Sequence, residues 1–126
     1  MGTPNPRDIS AAFCRLYNAR DKAGLIGLYQ DDAVFTLDGE TVARGKAQIA
    51  TAITPFLDAP FTMVASCGAC LEVGAIALVR TDWRLLLPNG AVEMTGSSAE
   101  VLALGADGLW RFAIDDASYA SRPRAV

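Results

Sequence analysis

The stretch Ala75-Ile-Ala-Leu-Val-Arg-Thr-Asp-Trp-Arg-Leu-Leu-Leu-Pro-Asn-Gly-Ala91 joins a long run of strand-forming residues to a turn motif. In the tripeptide Pro88-Asn89-Gly90, Asn and Gly easily adopt the positive φ angles of a tight turn, and Pro cannot continue a strand ladder. We therefore predict a long β-hairpin from Ala75 to Leu104, with its second strand starting directly after the turn.

The first strand of this hairpin has two different faces. Successive side chains of a strand point in opposite directions, so Arg80, Asp82 and Arg84 share one face. The other face carries Val79, Thr81, Trp83 and Leu85. If the charged face borders a cavity it is a candidate site, and if it faces solvent it is an ion-pair ladder of small energetic value. The apolar face predicts a homodimer that associates through the outer side of the sheet, because monomers seldom expose so large an apolar area.

Length and composition predict one domain over residues 1–126. A chain of 126 residues can bury enough surface for one core without disulfides. The net charge of -3, with acidic and basic residues interspersed, provides neither a basic stripe for nucleic acid nor a polybasic segment for anionic lipid. We therefore expect neither nucleic acid nor a membrane as a partner.

The N-terminal segment lacks the apolar region of a secretory signal, and no apolar run is long enough to span a bilayer, which predicts a cytoplasmic location. Cys14, Cys67 and Cys70 are an odd number of cysteines, so we expect free thiols. The last two have the spacing of half a metal site or a redox pair, but no second ligand pair accompanies them, and a regular strand would place them on opposite faces. The absence of histidine removes the commonest metal ligand and the Ser-His-Asp and Cys-His sites. We expect no metal and no cofactor.

Helices are predicted mainly in the first half of the chain and strands in the second. A first helix starts after the N-cap Asn5 and Pro6 and runs to about residue 20, a second is capped by Asp21, and a third covers Gly45–Leu57. Strands are predicted at Ala33–Leu37, Phe61–Val73, in the hairpin, and at Leu109–Ala117, and the tail after Ser118 is expected to be weakly ordered. This is an α+β layout, in which a curved, mostly antiparallel sheet wraps the helices and encloses a conical cavity.

Three short motifs accompany this layout. They are Tyr29-Gln-Asp-Asp-Ala-Val-Phe35 after the second helix, Arg44-Gly45 at the start of the third, and Asp107-Gly-Leu-Trp-Arg-Phe-Ala-Ile-Asp115 in the last strand. With them the chain resembles the SnoaL-like branch of the nuclear transport factor 2-like superfamily, and the resemblance covers a core from about residue 8 to residue 119. The resemblance implies a cone-shaped antiparallel sheet around three helices in the N-terminal half, also described as a cystatin-like roll. It further implies a pocket for a small hydrophobic ligand.

The resemblance also suggests a catalytic trio. Limonene epoxide hydrolases of this superfamily carry Arg-x-Asp on the long strand and a second Asp near the end of the last strand. Arg80-Thr-Asp82 and Asp115 are similar in type and position. We expect Asp115 as the base, Arg80 as the orienting group and Asp82 as the acid, because an arginine between two carboxylates lets one stay ionised while the other keeps a proton. The residues that hold the attacking water in that enzyme correspond to Phe35 and Leu37 here.

The other candidate site residues are expected to line the cavity. They are Phe13, Tyr17, Leu25, Phe35, Leu37, Ile53, Phe56, Glu100, Leu102 and Ala113. Glu100 falls roughly where ketosteroid isomerase keeps its protonated acid, and strand alternation puts Ala113 beside Asp115. Two functions stay open. One is a cofactor-independent isomerase, cyclase or epoxide-hydrolase-like enzyme acting on a small hydrophobic molecule, and the other is a non-catalytic ligand-binding or dimerisation module. They differ in whether two carboxylates converge inside the cavity.

Overall fold

The computed structural model describes residues 1–123. After a 3-10 turn at Pro6–Asp8, its helices and strands are α1 (Ile9–Asn18), α2 (Lys22–Gly27), β1 (Tyr29–Thr36), β2 (Val42–Arg44), α3 (Gly45–Asp58), β3 (Thr62–Val73), β4 (Ile76–Leu86), β5 (Val92–Ser97), β6 (Ala99–Leu104) and β7 (Trp110–Asp116). The side chain of Asn5 accepts a 3.0 Å hydrogen bond from the Arg7 amide, so it caps the 3-10 turn and α1 begins later than predicted.

The strands form one sheet in the order β2-β1-β7-β6-β4-β3, and β5 pairs with β4. β1 and β7 are parallel, whereas the other pairs among residues 1–123 are antiparallel. The predicted α+β class, with a curved sheet around three helices in the N-terminal half, is confirmed. The parallel pair makes the sheet mixed rather than antiparallel, and the short strand β2 was not predicted.

The predicted hairpin is formed by β4 and the two strands that follow it. Gly90 has a φ of 85° in the turn, as the sequence motif requires. The second arm is interrupted at Ser98, so that β5 pairs with the end of β4 next to the turn and β6 pairs with its beginning. At the interruption, the Thr81 amide donates to the Ser98 hydroxyl at 2.8 Å. The kink therefore fixes a hydroxyl next to the middle of β4.

The helices cover the concave face of the sheet. Ile9 and Tyr17 of α1 and Ile49 and Ile53 of α3 are almost fully buried against it. Their spacing of four or eight residues puts each pair on one stripe of its helix. Burying an aliphatic or aromatic side chain of this size stabilises a fold by roughly 1.5–3 kcal/mol, so these stripes hold the helices inside the cone.

The charged face of β4 points away from the cavity, and its apolar face points toward it. Val79, Thr81 and Leu85 are buried on the concave side, whereas the side chains of Arg80 and Asp82 are 45% and 44% exposed on the convex side. The physical reason is that the concave side must accept the apolar helices, and desolvating a row of charges there would be costly. The face predicted to join two subunits is therefore the interior of the cone, and that part of the dimer prediction is wrong.

Two bulges change the faces of the residues that follow them. In β7, Leu102 is opposite Phe112 and Val101 is opposite Ile114, so Ala113 has no partner in β6. As a result Phe112 and Asp115 both point inward, although simple alternation puts them on opposite faces.

The second bulge lies in β3. Cys67 is opposite Thr81, Ala69 is opposite Arg80, and Gly68 is the extra residue. Cys67 and Cys70 then share the concave side, which corrects the expectation of opposite faces. They remain free thiols, as does Cys14.

The chain after β7 folds back over the edge of the cone. Arg122 donates to both carboxylate oxygens of Asp116, at 2.6 and 2.8 Å, and the Ala120 amide donates to the Ser97 carbonyl at 3.0 Å. The segment from Ser118 to Pro123 is thus tied to the sheet, contrary to the prediction, while the rest of the predicted tail lies outside the described residues. No helix of residues 1–123 is long and apolar enough to cross a membrane.

Candidate functional site

A cavity of about 90 Å³ lies between the helices and the concave side of the sheet. Its walls are mostly rings and aliphatic chains. They are Phe13, Tyr17, Phe35, Leu37, Ile53, Phe56, Met63, Leu85, Trp83, Met94 and Phe112. Such a surface favours an apolar ligand, and the few polar groups in it would decide the ligand's orientation.

Two carboxyl groups project into this apolar cavity. Glu100 of β6 and Asp115 of β7 are directly opposite each other across the antiparallel pair, and they are 5% and 4% exposed. Residues opposite each other in a sheet point to the same side, with Cβ atoms about 5 Å apart. The strand register therefore brings the two acids together without any help from a loop.

Glu100 is held by hydroxyl groups on both of its oxygens. Thr81 Oγ1 donates to Oε1 at 3.0 Å, and Ser98 Oγ donates to Oε2 at 2.9 Å. Ser10 Oγ lies 2.6 Å from Thr81 Oγ1, and because the single proton of Thr81 goes to Glu100, Ser10 is the donor of that bond. Both neighbours thus act as donors, so a proton carried by Glu100 is free to point into the cavity.

Asp115 is held by a single phenol. Tyr29 Oη of β1 donates to Asp115 Oδ2 at 2.5 Å, and the tyrosine side chain is fully buried. Burial and the neighbouring carboxylate raise the pKa of Tyr29 well above its usual value, so it keeps its proton and remains a donor. A hydrogen bond from a neutral phenol stabilises the ionised form of Asp115.

Both acids hold their protons more tightly than ordinary carboxyl groups. Burial, followed by the charge of Asp115, raises the pKa of Glu100 to about 8. Burial raises the pKa of Asp115 to about 7, against the lowering effect of the Tyr29 hydrogen bond. Two carboxylates this close do not both ionise easily, so near neutral pH the pair shares one proton. The arrangement can therefore offer an acid and a base at the same time.

The structure brings only one member of the predicted trio into the cavity. Arg80 and Asp82 form an exposed ion pair with a 3.1 Å separation on the convex side, and Ser97 donates to Asp82. Because a strand separates them from the cavity, they cannot contact a ligand bound beside Asp115. Their expected roles as orienting group and acid are wrong, and the second carboxyl group of the cavity is Glu100.

Most of the predicted lining residues do border the cavity. Those that do are Phe13, Tyr17, Phe35, Leu37, Ile53, Phe56 and Glu100. Leu25 and Leu102 are instead completely buried in the core, and Ala113 sits in the bulge of β7, so these three predictions are wrong.

Sequence reasoning did not find the groups that hold the two acids. Thr81 and Ser98 contact Glu100, and Tyr29 contacts Asp115. One signal was present in the sequence: Thr81 is a hydroxyl residue on the otherwise apolar face of β4. Such a residue needs a buried partner, and Glu100 is that partner. No cluster of three or more metal-binding side chains occurs within residues 1–123.

The cone of strands around three helices, with a small cavity inside, is a nuclear transport factor 2-like fold. The sequence model of the SnoaL-like domain matches residues 11–116, and the chain belongs to this family. No protein among the curated ones matches its sequence significantly.

Three solved structures have a similar fold. A protein from Thiobacillus denitrificans ATCC 25259, assigned as a calcium/calmodulin-dependent protein kinase type II association domain, has 19% identity and a TM-score of 0.79, over 94% of this chain and 97% of the other. A ketosteroid isomerase-like protein from Erwinia carotovora atroseptica SCRI1043 has 23% identity and a TM-score of 0.71, over 89% and 91%. A Nostoc punctiforme PCC 73102 domain of unknown function with a cystatin-like fold has 15% identity and a TM-score of 0.74, over 92% and 74%. At these identities the similarity shows the fold alone.

Proposed function

We propose that the protein is a cofactor-independent enzyme that moves a proton within a small hydrophobic molecule bound in the cavity, in the manner of an isomerase. The observation that carries this proposal is the convergence of Glu100 and Asp115 inside one apolar cavity. A module that only bound an apolar ligand would gain nothing from two desolvated acids, which are costly to bury. A pair that shares one proton near neutral pH suits acid-base catalysis.

The hydrogen bonds support a division of roles. The phenol of Tyr29 favours the ionised form of Asp115, so Asp115 is the member of the pair that is available as a base. Glu100 has the higher pKa, so it keeps the shared proton, which is free to point into the cavity, and it serves as the general acid. In the proposed reaction Asp115 takes a proton from carbon next to a carbonyl group while Glu100 donates to the carbonyl oxygen. Asp115 then returns the proton to a different carbon while the enol oxygen gives its proton back to Glu100, so both acids recover their starting states and no redox partner is needed.

The apolar wall near the pair favours proton transfer within the substrate over hydrolysis. Phe35 of β1 and Leu37, directly after this strand, border the cavity, and their side chains offer no hydrogen bond to a water. A hydrolase acting through an attacking water needs a group that holds this water in line with the substrate. An isomerase needs no water, and a dry cavity strengthens the interactions of both acids.

The proposal is tested by hydrogen exchange in small carbonyl compounds. Cyclopentanone and 2-cyclopentenone are incubated with the protein in D₂O, and loss of the α-proton signal is followed by NMR. Wild type and Asp82→Asn should exchange the α-proton faster than buffer alone. In Asp115→Asn this acceleration should fall by at least about a hundredfold, which is the usual contribution of a general base. Asp82 is the matched control because it is an aspartate on the same sheet but outside the cavity. Exchange that is equal in wild type and Asp115→Asn contradicts the catalytic role.

The alternative is a non-catalytic ligand-binding or association module of the same fold. The kinase association domain among the similar structures supports this alternative by its fold alone. Binding of the ketones without any acceleration of exchange in wild type would favour it. In that case the two acids would serve ligand recognition.

We also propose that two copies associate through the convex side of the sheet. Leu71, Leu78, Val101 and Ile114 form one row across β3, β4, β6 and β7, and three of these side chains are exposed. Arg80 and Asp82 lie beside this row, so a second copy can offer opposite charges to the same surface. Leu78→Lys should shift sedimentation from dimer to monomer, whereas a monomeric wild type at micromolar concentration contradicts the proposal. The cytoplasmic location stays a prediction from the sequence.

A further inference from the structure

The carboxyl pair in the cavity has no positive partner among the residues that the structure describes. None of the cavity-lining side chains of residues 1–123 is cationic. Three arginines of the sheet and its edge are paired elsewhere: Arg80 with Asp82, Arg111 with Asp107, and Arg122 with Asp116. Arg84 of β4 is exposed on the convex side and does not line the cavity. Buried charges in proteins are normally paired or bound to a cation, so the cavity contains one negative charge that only a ligand would compensate.

The walls around this charge are rich in aromatic rings. Phe13, Phe35, Phe56, Trp83 and Phe112 border the same cavity as the two acids. The faces of aromatic rings attract cations, and rings arranged around a carboxylate are a common recognition site for organic ammonium groups. Rings and carboxylate thus favour the same ligand charge for two independent reasons.

We propose that the ligand of this cavity is a small hydrophobic amine in its protonated form, whose ammonium group pairs with the Glu100 and Asp115 carboxyl groups. This inference rests on the proposed function, because it names the substrate class of the same site. With one proton on the pair and one positive charge on the ligand, the occupied cavity is neutral.

The cavity also limits the size of the amine. Its volume of about 90 Å³ is below the roughly 150 Å³ at which an apolar cavity accepts benzene, so a branched chain of four or five carbons is the appropriate size. Met63 and Met94 are in the wall, and methionine side chains adapt to fill or free small volumes.

The test compares three molecules of nearly one shape and three different charges: isobutylamine, isobutanol and isobutyrate. Binding is followed by the methyl signals of the methionines, of which Met63 and Met94 line the cavity and the exposed Met1 is an internal control. We expect isobutylamine to bind about tenfold more tightly than isobutanol, because hydrogen bonds between charged groups are stronger than neutral ones, and isobutyrate to bind more weakly than either.

The pH dependence supplies a second readout on the wild type. The other ionisable side chains facing the pair are the phenols of Tyr29 and Tyr17, both with raised pKa values, while α3 presents only Ile53 and Phe56. Asp116 is next to Asp115 in β7 but lies outside the cavity, paired with Arg122. The amine itself stays protonated to about pH 10. Affinity for isobutylamine should therefore increase as the pH rises from 5 through the titration of the pair at about 7 to 8, whereas affinity for isobutanol should not.

Variants separate this inference from the proposed function. Asp115→Asn and Glu100→Gln should reduce the preference for isobutylamine over isobutanol to less than about threefold, with Asp82→Asn unchanged as the matched control. If isobutanol binds at least as tightly as isobutylamine at pH 8, the amine inference is overturned while the exchange experiment still decides the catalytic proposal. If no compound shifts the Met63 and Met94 signals, the amine inference also fails, and the ketone exchange experiment decides the proposed function independently. If a variant does not fold, the pH dependence of isobutylamine binding to the wild type alone tests the amine inference.

Discussion

Glu100 and Asp115 lie opposite each other on neighbouring antiparallel strands, and both side chains point into the same apolar cavity. Each carboxyl group has its own hydroxyl donors, from Thr81 and Ser98 in one case and from Tyr29 in the other. Within residues 1–123 the pair is thus held by hydrogen bonds but has no cationic side chain beside it in the cavity. This imbalance has measurable effects on stability, titration and ligand preference.

The stability of the protein should fall as the pH rises from about 4 to about 8. The folded pKa values of Asp115 and Glu100, about 7 and about 8, exceed the ordinary values of 3.8 and 4.5, so the folded chain binds more protons than the unfolded chain in this range. The stabilisation from the two protonated acids is therefore complete below about pH 4 and is lost by about pH 8. We expect a decrease on the order of several kcal/mol, measured as the free energy of urea unfolding.

Substitution of the buried acids should flatten this pH profile. Asp115→Asn and Glu100→Gln each remove one titrating group but keep oxygen acceptors for the hydroxyl donors. Asp82→Asn removes an exposed carboxyl group and should retain the profile of the wild type. A wild-type profile that is flat between pH 4 and 8 is incompatible with raised pKa values for this pair.

The phenol of Tyr29 should hold the pKa of Asp115 down. Tyr29→Phe removes the 2.5 Å hydrogen bond to Asp115 and should raise the pKa of that carboxyl group further, seen by ¹³C NMR of the side-chain carboxyl carbons. Tyr17→Phe is the matched control, because its phenol also faces the cavity but donates to the Phe56 carbonyl. Arg80→Ala should leave the pKa of Asp115 unchanged, and a rise would mean that the convex-side ion pair does influence the cavity.

The alternation of side chains along β4 could be read from the sequence, but the direction of each face could not. Arg80 and Asp82 share one face as predicted, yet that face points to solvent because the helices require an apolar concave side. The identity of the second acid depends on register, since Glu100 meets Asp115 only through the strand pairing of β6 and β7.

Bulges explain the other cases in which a residue was predicted on the wrong face of the sheet. Asp115 was expected in the cavity beside Ala113, whereas the bulge at Ala113 turns Asp115 to the side of Phe112. A bulge adds one residue and reverses the alternation after it, and its position depends on contacts distant in sequence. Apolar lining residues such as Phe13 and Ile53 were easier to find, because helix periodicity alone puts them on the covered face.

Thr81 should be required to hold Glu100 in position. Thr81→Val keeps the shape of the side chain but removes the hydroxyl that donates to Glu100 Oε1 and accepts from Ser10. We expect a loss of about 1–3 kcal/mol in the free energy of unfolding at neutral pH, because buried polar atoms lose a partner. The pKa of Glu100 should rise, since the lost hydrogen bond lowers it. An exposed substitution on the same strand, Arg84→Gln, should change neither quantity.

The two cysteines of β3 should be dispensable. Cys67 and Cys70 share the concave side but do not border the cavity, and no third metal-binding side chain accompanies them within residues 1–123. Cys67→Ala with Cys70→Ala should lower the free energy of unfolding by no more than about 2 kcal/mol through lost packing, and should leave isobutylamine affinity unchanged. Zinc that copurifies with the wild type and is lost from the double variant would contradict this expectation.

The ion pair between Asp116 and Arg122 should tune the pKa of Asp115 from outside the cavity. The charge of Asp116 raises the pKa of Asp115, and Arg122 partly neutralises this charge through hydrogen bonds of 2.6 and 2.8 Å. Arg122→Gln should therefore raise the pKa of Asp115, whereas Asp116→Asn should lower it, as measured by carboxyl ¹³C titration. Because Arg122 acts through Asp116, the double variant should titrate like Asp116→Asn alone. A higher pKa of Asp115 in the double variant than in Asp116→Asn would show that the guanidinium acts on Asp115 directly.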